Sequence, residues 1–319
     1  MPLSSPHAAD ILRNSSAFTG VVDGVAYAAI GDTSRDSYTG TFFGLGQAYH
    51  RMPALRAAIA PIVGRLLEHL EARDWTIYQA RGQANVGPQG PEPVMTFVQA
   101  PTQVLAFLSI GARIDPGRWE PVRRRYAPLA DQQWLHAWFS AHEVYYGYYG
   151  FHLEHLNLTS LCELETDPGR YRAHLRTLRI LREALGHHQN AMFDAVWGAL
   201  VPPAAAAMAD PVRLALQRWT LRPRRGFTIR NSQDPAIAKT TYTTTIPNQT
   251  GGPNQPIQTG PRTVEVAVYP LPIEKRPSTA YLWSSSPFEL DGAVDPHEQH
   301  PGLDLLLPYW LARNHGVLR

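Results

Sequence analysis

The sequence predicts a mainly α-helical chain, assembled from successive helical hairpins and finished by an irregular, partly β C-terminal cap. From about Tyr38 to Trp219 apolar residues recur at helical spacing. From Arg222 to Pro301, Pro, Thr, Ser, Asn and Gly dominate, and only the run from Thr263 to Tyr269 alternates as a strand does. Hairpins interrupted by short extended loops are the order of an α/α toroid and suit neither a parallel sheet nor a sandwich. The expected organisation is one domain over 1–319, with a helical body at 38–221, a cap at 222–301 and a terminal helix at 302–316.

Each element has a local cause. A helix is expected from Tyr38 to Arg51, capped by the oxygen of Thr33, Ser34 or Asp36. After Pro53 a second helix places Leu55, Ile59, Ile62, Val63, Leu66, Leu67 and Leu70 on one face. A strand-like run from Trp75 to Ala80 and a Gly/Pro loop from Gly87 to Pro93 lead to a helix near Thr102 to Ile114. Further helices are expected over Ala130 to Tyr149, over Phe151 to Glu165, after Asp167-Pro168, and from Asn190 to Leu200. Asp167 suits an N-cap and Pro168 a first helical turn. A last helix near Pro301 to His315 ends at Gly316. Eight or nine helices result.

Composition narrows the function classes. The chain of 319 residues is 44% hydrophobic, enough for a globular core. No apolar run approaches the ~20 residues of a membrane span, and no signal peptide is visible at the start, which leaves localisation open. Cys162, the single cysteine, excludes an internal disulfide and a multi-cysteine metal site, and its leucine neighbours mark it as a small buried hydrophobe. The formal net charge is +2, with only Lys239 and Lys275 as lysines, a preference that a high-GC bacterial genome explains. Arginines cluster at 123–125 and 222–225, but no basic stripe dominates, so nucleic acid is not the expected partner.

Four places carry candidate chemistry. In the turn from Gly31, Asp32, Arg35 and Asp36 lie within one turn of chain. Two readings are open: helix capping, or an arginine held by two aspartates so that the group grips vicinal sugar hydroxyls, with Tyr38 beside it. Second, Trp138, His142, Tyr145 and Tyr149 recur at spacings of four, three and four, one face of a helix, with Tyr146 adjacent. Large aromatics commonly fill a core, yet phenols and a histidine together also suit the wall of a sugar cavity. His152 and His155 lack a third ligand by spacing, so no metal and no cofactor is expected. Third, Asn190 reads as an N-cap, with Asp194 one turn later either exposed or facing the lumen. Fourth, Glu289 and Asp291 in Pro-Phe-Glu-Leu-Asp-Gly, and His297-Glu298, can supply a carboxylate from the long cap, where Trp283 also lies.

The Ser-Arg-Asp turn leading into Phe43-Gly44-Leu45-Gly46 resembles the Arg-Asp segment of six-hairpin glycosidases such as glucoamylases and glycogen-debranching enzymes. The segments Gly186 to Val196 and Glu274 to Gly292 resemble uncharacterised bacterial proteins associated with the same toroid. The resemblance covers about twenty residues in the first case and implies an oligo- or polysaccharide partner, with Arg35 and Asp36 next to the cleaved bond.

Two mechanisms follow. A glycoside hydrolase uses one carboxylic acid on the leaving oxygen and one carboxylate on water or the sugar itself. Asp32, Asp36, Asp194 and Glu289 are the catalytic candidates, with Arg35, Tyr38, His142, Tyr146, Tyr149, Asn157 and Trp283 as substrate-binding ones. A polysaccharide lyase instead removes a proton beside a uronate carboxylate with Tyr or His while Arg or Asn neutralises it; His142, Tyr146, Asn157 and Arg35 supply those types. A non-catalytic toroid that binds carbohydrate, or only packs, is the third possibility.

Overall fold

The computed structural model describes all residues except 14–16, 31–32, 76, 78–99, 142–144, 146–147, 223–225, 244–262, 278–280 and 294–301, with the side chains of 100, 136, 139 and 140 also undescribed. Eleven α-helices and three two-stranded antiparallel sheets lie among the described residues. No helix there is long and apolar enough to cross a membrane. Contacts group the chain into two units: unit 1 is 1–132 with 164–166, and unit 2 is 133–163 with 167–319. The division falls inside the expected helical body.

Unit 1 opens with a short helix, α1 (Ala8–Leu12), and a hairpin that periodicity does not reveal, β1 (Ala17–Val22) with β2 (Val25–Ile30). Asp23 and Gly24 both take positive φ, +50° and +77°, the conformation that two-residue hairpin turns demand and that Asp-Gly accepts readily. Helix α2 (Arg35–Arg51) starts three residues before the expected position, because Ser34 is the cap and its Oγ accepts from the Ser37 N–H at 3.2 Å. A short 3-10 turn over Pro53–Leu55 joins it to α3 (Arg56–Glu71), as the hairpin pattern predicts. Ile59, Val63, Leu67 and Leu70 are buried there, whereas Leu55 and Ile62 stay exposed. Helices α4 (Ala100–Ile114) and α5 (Pro116–Tyr126) complete the unit.

Its core gathers Phe42, Val63, Leu67, Leu70, Phe107, Leu108 and Trp119, each fully buried large side chain contributing about 2 kcal/mol. Trp75 and Ile77 are buried in it without a strand, and the rest of the expected run to Ala80 lies outside the described residues, as does the Gly/Pro loop. The arginine cluster is neutralised locally. Arg123 pairs with Glu120 and Glu165, Arg124 with Glu120, and Arg118 and Arg125 with Glu71.

Unit 2 is ordered around α7 (Tyr149–Leu164), in which every residue from Gly150 to Cys162 is buried. A helix covered on all sides belongs in the middle of its neighbours. The other helices of the unit are α6 (Gln133–Ala141), α8 (Pro168–Leu185), α9 (Ala191–Leu200), α10 (Ala205–Thr220) and α11 (Leu303–Asn314). The packed pairs are α6 with α8, α8 with α9, α9 with α10, and α11 with both α9 and α10. Both caps behave as the sequence predicts. Asp167 accepts from the Arg170 N–H at 2.8 Å, and Asn190 accepts from the N–H groups of Met192 and Phe193 at 3.1 and 3.2 Å. Gly316, with φ of +73°, lies just past the end of α11.

One element departs from expectation. The helix expected through Tyr149 stops at Ala141, and Tyr145 and Tyr148 occupy turns. Packing overrides local propensity here. Tyr145 meets the rings of Tyr242 and Phe288 at 4.6 and 4.8 Å, and Tyr148 meets Phe151 and Phe193 at 5.5 and 5.8 Å. Tyr145 therefore does not continue the α6 face that carries Trp138, which is half exposed, while His142 lies outside the described residues.

The cap of unit 2 holds two strand pairings among the described residues, each a two-stranded sheet. Strand β3 (Thr228–Arg230) pairs with β6 (Asp291–Ala293), and β4 (Lys239–Thr243) pairs with β5 (Thr263–Ala267), the latter inside the alternating run of the sequence. The pairings are antiparallel, Arg230 opposite Asp291 and Thr241 opposite Glu265. Between the strands, Leu282, Trp283 and Phe288 are buried against the helices of the unit. Arg276 is 2% exposed and is bound by main-chain carbonyls: Nε donates to Leu271 O at 2.9 Å, Nη1 to Gln189 O at 3.4 Å, and Nη2 to His188 O.

Candidate functional site

A cleft of about 430 Å³ opens in unit 2, lined by Tyr145, Tyr148 and Tyr149 on one side and by serines and carboxylates of the cap on the other. Its local causes are legible. The segment Phe288-Glu289-Leu290-Asp291 is extended, so side chains alternate: Phe288 and Leu290 are buried while Glu289 and Asp291 stand outward toward the cleft. Strand β5 brings Val264, Glu265 and Val266 to the same opening. Two 3-10 turns, Asn231–Gln233 and Leu282–Ser284, supply Ser232 and Ser284, and Ser286 follows.

The three carboxylates are not equivalent. Asp291 is clamped by one residue, its oxygens accepting from the Ser232 N–H at 2.9 Å and the Ser232 hydroxyl at 2.5 Å. Among the described residues, Glu265 makes no side-chain hydrogen bond or ion pair. Glu289 is exposed, with its own N–H on the Ser286 carbonyl at 3.4 Å. Gly292, next to Asp291, is required by space: a Cβ there would stand 2.6 Å from the Pro277 carbonyl oxygen and 2.9 Å from its Cβ. Gly292→Ala is expected to cost about 1–3 kcal/mol in urea unfolding and to displace Glu289 and Asp291, which a loss of ligand binding beyond the loss of stability would show.

Behind the tyrosines lies a dry polar layer. The Tyr148 hydroxyl sits 3.1 Å from His188 Nδ1, and burial pushes this phenol well above its ordinary range, against the opposing pull of Arg276. His188 is depressed to about 3, by burial first and then by His187 and Arg276. On α7, His155 donates its Nδ1–H to the Phe151 carbonyl at 2.6 Å and stacks on Phe193 at 4.0 Å. Burial holds His155 down at about 4 and His152, next to Tyr281, at about 3. All three rings are neutral near pH 7. Among the described residues no group of three His, Cys, Asp or Glu side chains is placed to hold a metal ion.

The sequence candidates fall in different places. Asp32, His142 and Tyr146, with His297 and Glu298, lie outside the described residues. Arg35, Asp36 and Tyr38 belong to unit 1. Arg35 is buried, and its carbonyl accepts from Gln103 Nε2 at 3.0 Å. Asp36 is exposed as a residue, yet partial desolvation of its carboxyl holds it above the usual aspartate range while Arg35 opposes. Tyr38 packs on Phe42, and desolvation raises its phenol.

In unit 2, Tyr149 and Glu289 line the cleft. Asp194 is buried and paired with Arg182, its carboxyl raised by burial despite that partner. Asn157 is buried on α7 with no hydrogen bond on its Nδ2 among the described residues. Trp283 is fully buried, its indole N–H on the Asp304 carbonyl at 2.6 Å, so its ring offers no face to a ligand. Glu265, Ser232, Ser284 and Ser286 were not foreseen. A single glutamate in an alternating strand is what a solvated face normally carries, so only the tertiary fold distinguishes Glu265.

Comparison of the chain with protein-family models, with curated proteins and with solved structures gives no match.

Proposed function

We propose that this chain processes carbohydrate in the cleft of unit 2, as a glycoside hydrolase built on helical hairpins of the α/α-toroid type. The observation that carries the reading is the lining of that cleft, in which Glu265 and Glu289 face an opening walled by tyrosines and serine hydroxyls. Two carboxyl groups, one as acid on the leaving oxygen and one acting on water or the sugar carbon, are what glycosidic cleavage requires. Aromatic faces hold a pyranose ring, and the serines match its hydroxyls. The packed pairs α2 with α3 and α4 with α5 in unit 1, and α9 with α10 in unit 2, support helical hairpins of the toroid type.

Elimination on uronates is the weaker reading. Tyr148, His188, Asn190 and Arg276 have the residue types that a lyase uses, but the Tyr148 hydroxyl is turned onto His188 and the Arg276 donors are engaged by carbonyls. A uronate would also bring its charge toward Glu265, Glu289 and Asp291. At ~6 Å and an effective dielectric of ~20, each such repulsion costs about 3 kcal/mol.

The test is an activity screen on neutral, amino and uronic polysaccharides that reads both new reducing ends and the absorbance of unsaturated products. Reducing ends alone are expected. Glu289→Gln and Glu265→Gln should each lower turnover about 10²–10⁴-fold, the usual contribution of a general acid or base, with the thermal midpoint little changed because both side chains are exposed. An unsaturated product would instead establish elimination, and sugar binding without turnover would establish a non-catalytic role.

A further inference from the structure

The cleft of unit 2 constrains the charge of its ligand as well as its shape. Glu265, Glu289 and Asp291 face it, and no Lys, Arg or His is among its described lining residues. Three hydroxyls of the same wall are engaged within the protein. Ser284 Oγ donates to the Tyr281 carbonyl at 3.0 Å, Ser232 Oγ donates to Asp291, and the Tyr148 hydroxyl is turned onto His188. What Ser232 and Ser284 still offer a ligand is an oxygen that accepts.

The wall is therefore biased toward acceptors. A neutral sugar hydroxyl brings one donor and also acceptors that need donors in return, whereas an ammonium group brings three donors, no acceptor, and the opposite charge. The tyrosines favour the same ligand, since a cation over an aromatic face is attracted by the ring quadrupole. Tyr149 is 44% exposed at the first position of α7 and lines the cleft. Among the described residues no cation pairs with Glu265.

We propose that the cleft binds a cationic oligosaccharide, one carrying free amino groups, with the Glu265 and Glu289 carboxylates as acceptors for its ammonium groups and the tyrosines against its rings. This rests on the carbohydrate reading of the same cleft and adds the chemical class of the sugar.

The experiment is calorimetric titration of the full chain with four probes: a glucosamine tetramer with protonated amines, its N-acetylated counterpart, a glucose tetramer, and spermine. The glucosamine tetramer is expected to bind about tenfold more tightly than either neutral tetramer, the size of two partly exposed ion pairs. That preference should close in about 1 M salt, where the screening length is about 3 Å, and shrink in Glu265→Gln, whose fold is checked by circular dichroism. Equal binding of all three tetramers overturns the proposal and leaves the carbohydrate reading standing. Spermine binding as tightly as the glucosamine tetramer, with both neutral tetramers silent, overturns both, because charge alone would then be recognised. Silence from all four probes also overturns both.

Discussion

Lowering the pH from 7 to 5 is expected to unfold unit 2. His152, His155 and His188 are held neutral by burial, at about 3, about 4 and about 3. In the unfolded chain each titrates near ~6.5. Between the folded and unfolded values the unfolded chain binds protons that the folded chain refuses, so stability rises with pH across that window. The contribution is complete above ~6.5 and declines as the pH falls toward the folded values. Each ring accounts for about 1.4 kcal/mol per pH unit, and three for about 4. Over the interval from ~6.5 to 5 the loss is about 6 kcal/mol, comparable with the whole stability of an ordinary domain. Asp194 works in the opposite direction, since its raised carboxyl favours the protonated folded form. Urea midpoints followed by near-ultraviolet circular dichroism at successive pH values read this directly. A midpoint that stays level between pH 7 and 5 would show that these rings are not buried as neutral groups.

Asp304→Ala is expected to destabilise unit 2 by about 3–5 kcal/mol, the range found when a buried charge loses its partner. Asp304 is fully buried in the first turn of α11. One carboxylate oxygen accepts from the Trp219 indole N–H at 2.9 Å and the other from the Leu282 N–H at 3.0 Å, joining α10, α11 and the cap. Arg222, itself buried, is pulled down by desolvation and supported by this aspartate. Alanine would strand an indole N–H and a main-chain N–H in the interior and remove the electrostatic support that the buried Arg222 receives from the aspartate. Asparagine keeps one acceptor and should lose less, so the ordering of the two variants separates polar pairing from simple packing. A change under ~1 kcal/mol for the alanine variant in urea unfolding would mean that water replaces the carboxylate.

Helix periodicity and capping were legible because they are local. The α3 stripe of Ile59, Val63 and Leu67 and the caps at Asp167 and Asn190 each depend on residues within a few positions of one another. The hairpin of β1 and β2 was missed because nearly all of β1 is exposed, leaving no alternation to read. The turns at Tyr145 and Tyr148 were missed because their rings pack on Tyr242, Phe288 and Phe193, contacts that no spacing encodes.

The candidate site divides along the same line. Glu289 and Tyr149 were legible, one as a carboxylate in an aromatic-flanked cap segment and the other as an aromatic near the helix boundary; both line the cleft. Trp283 and Asp194 were sound choices by residue type, yet one became a buried wedge and the other a buried ion-pair partner. Residue type states what a side chain can do, while burial and neighbours decide what it does. The sequence by itself determined the mainly helical class and the places of α2, α3, α4, α7, α8, α9 and α11, since hydrogen bonding along a helix and capping are satisfied within a few residues. Only the tertiary structure decided that Glu265 and Glu289 share one opening, because their proximity comes from the β5 edge and the extended segment at 288–291 packing beside the tyrosine turn.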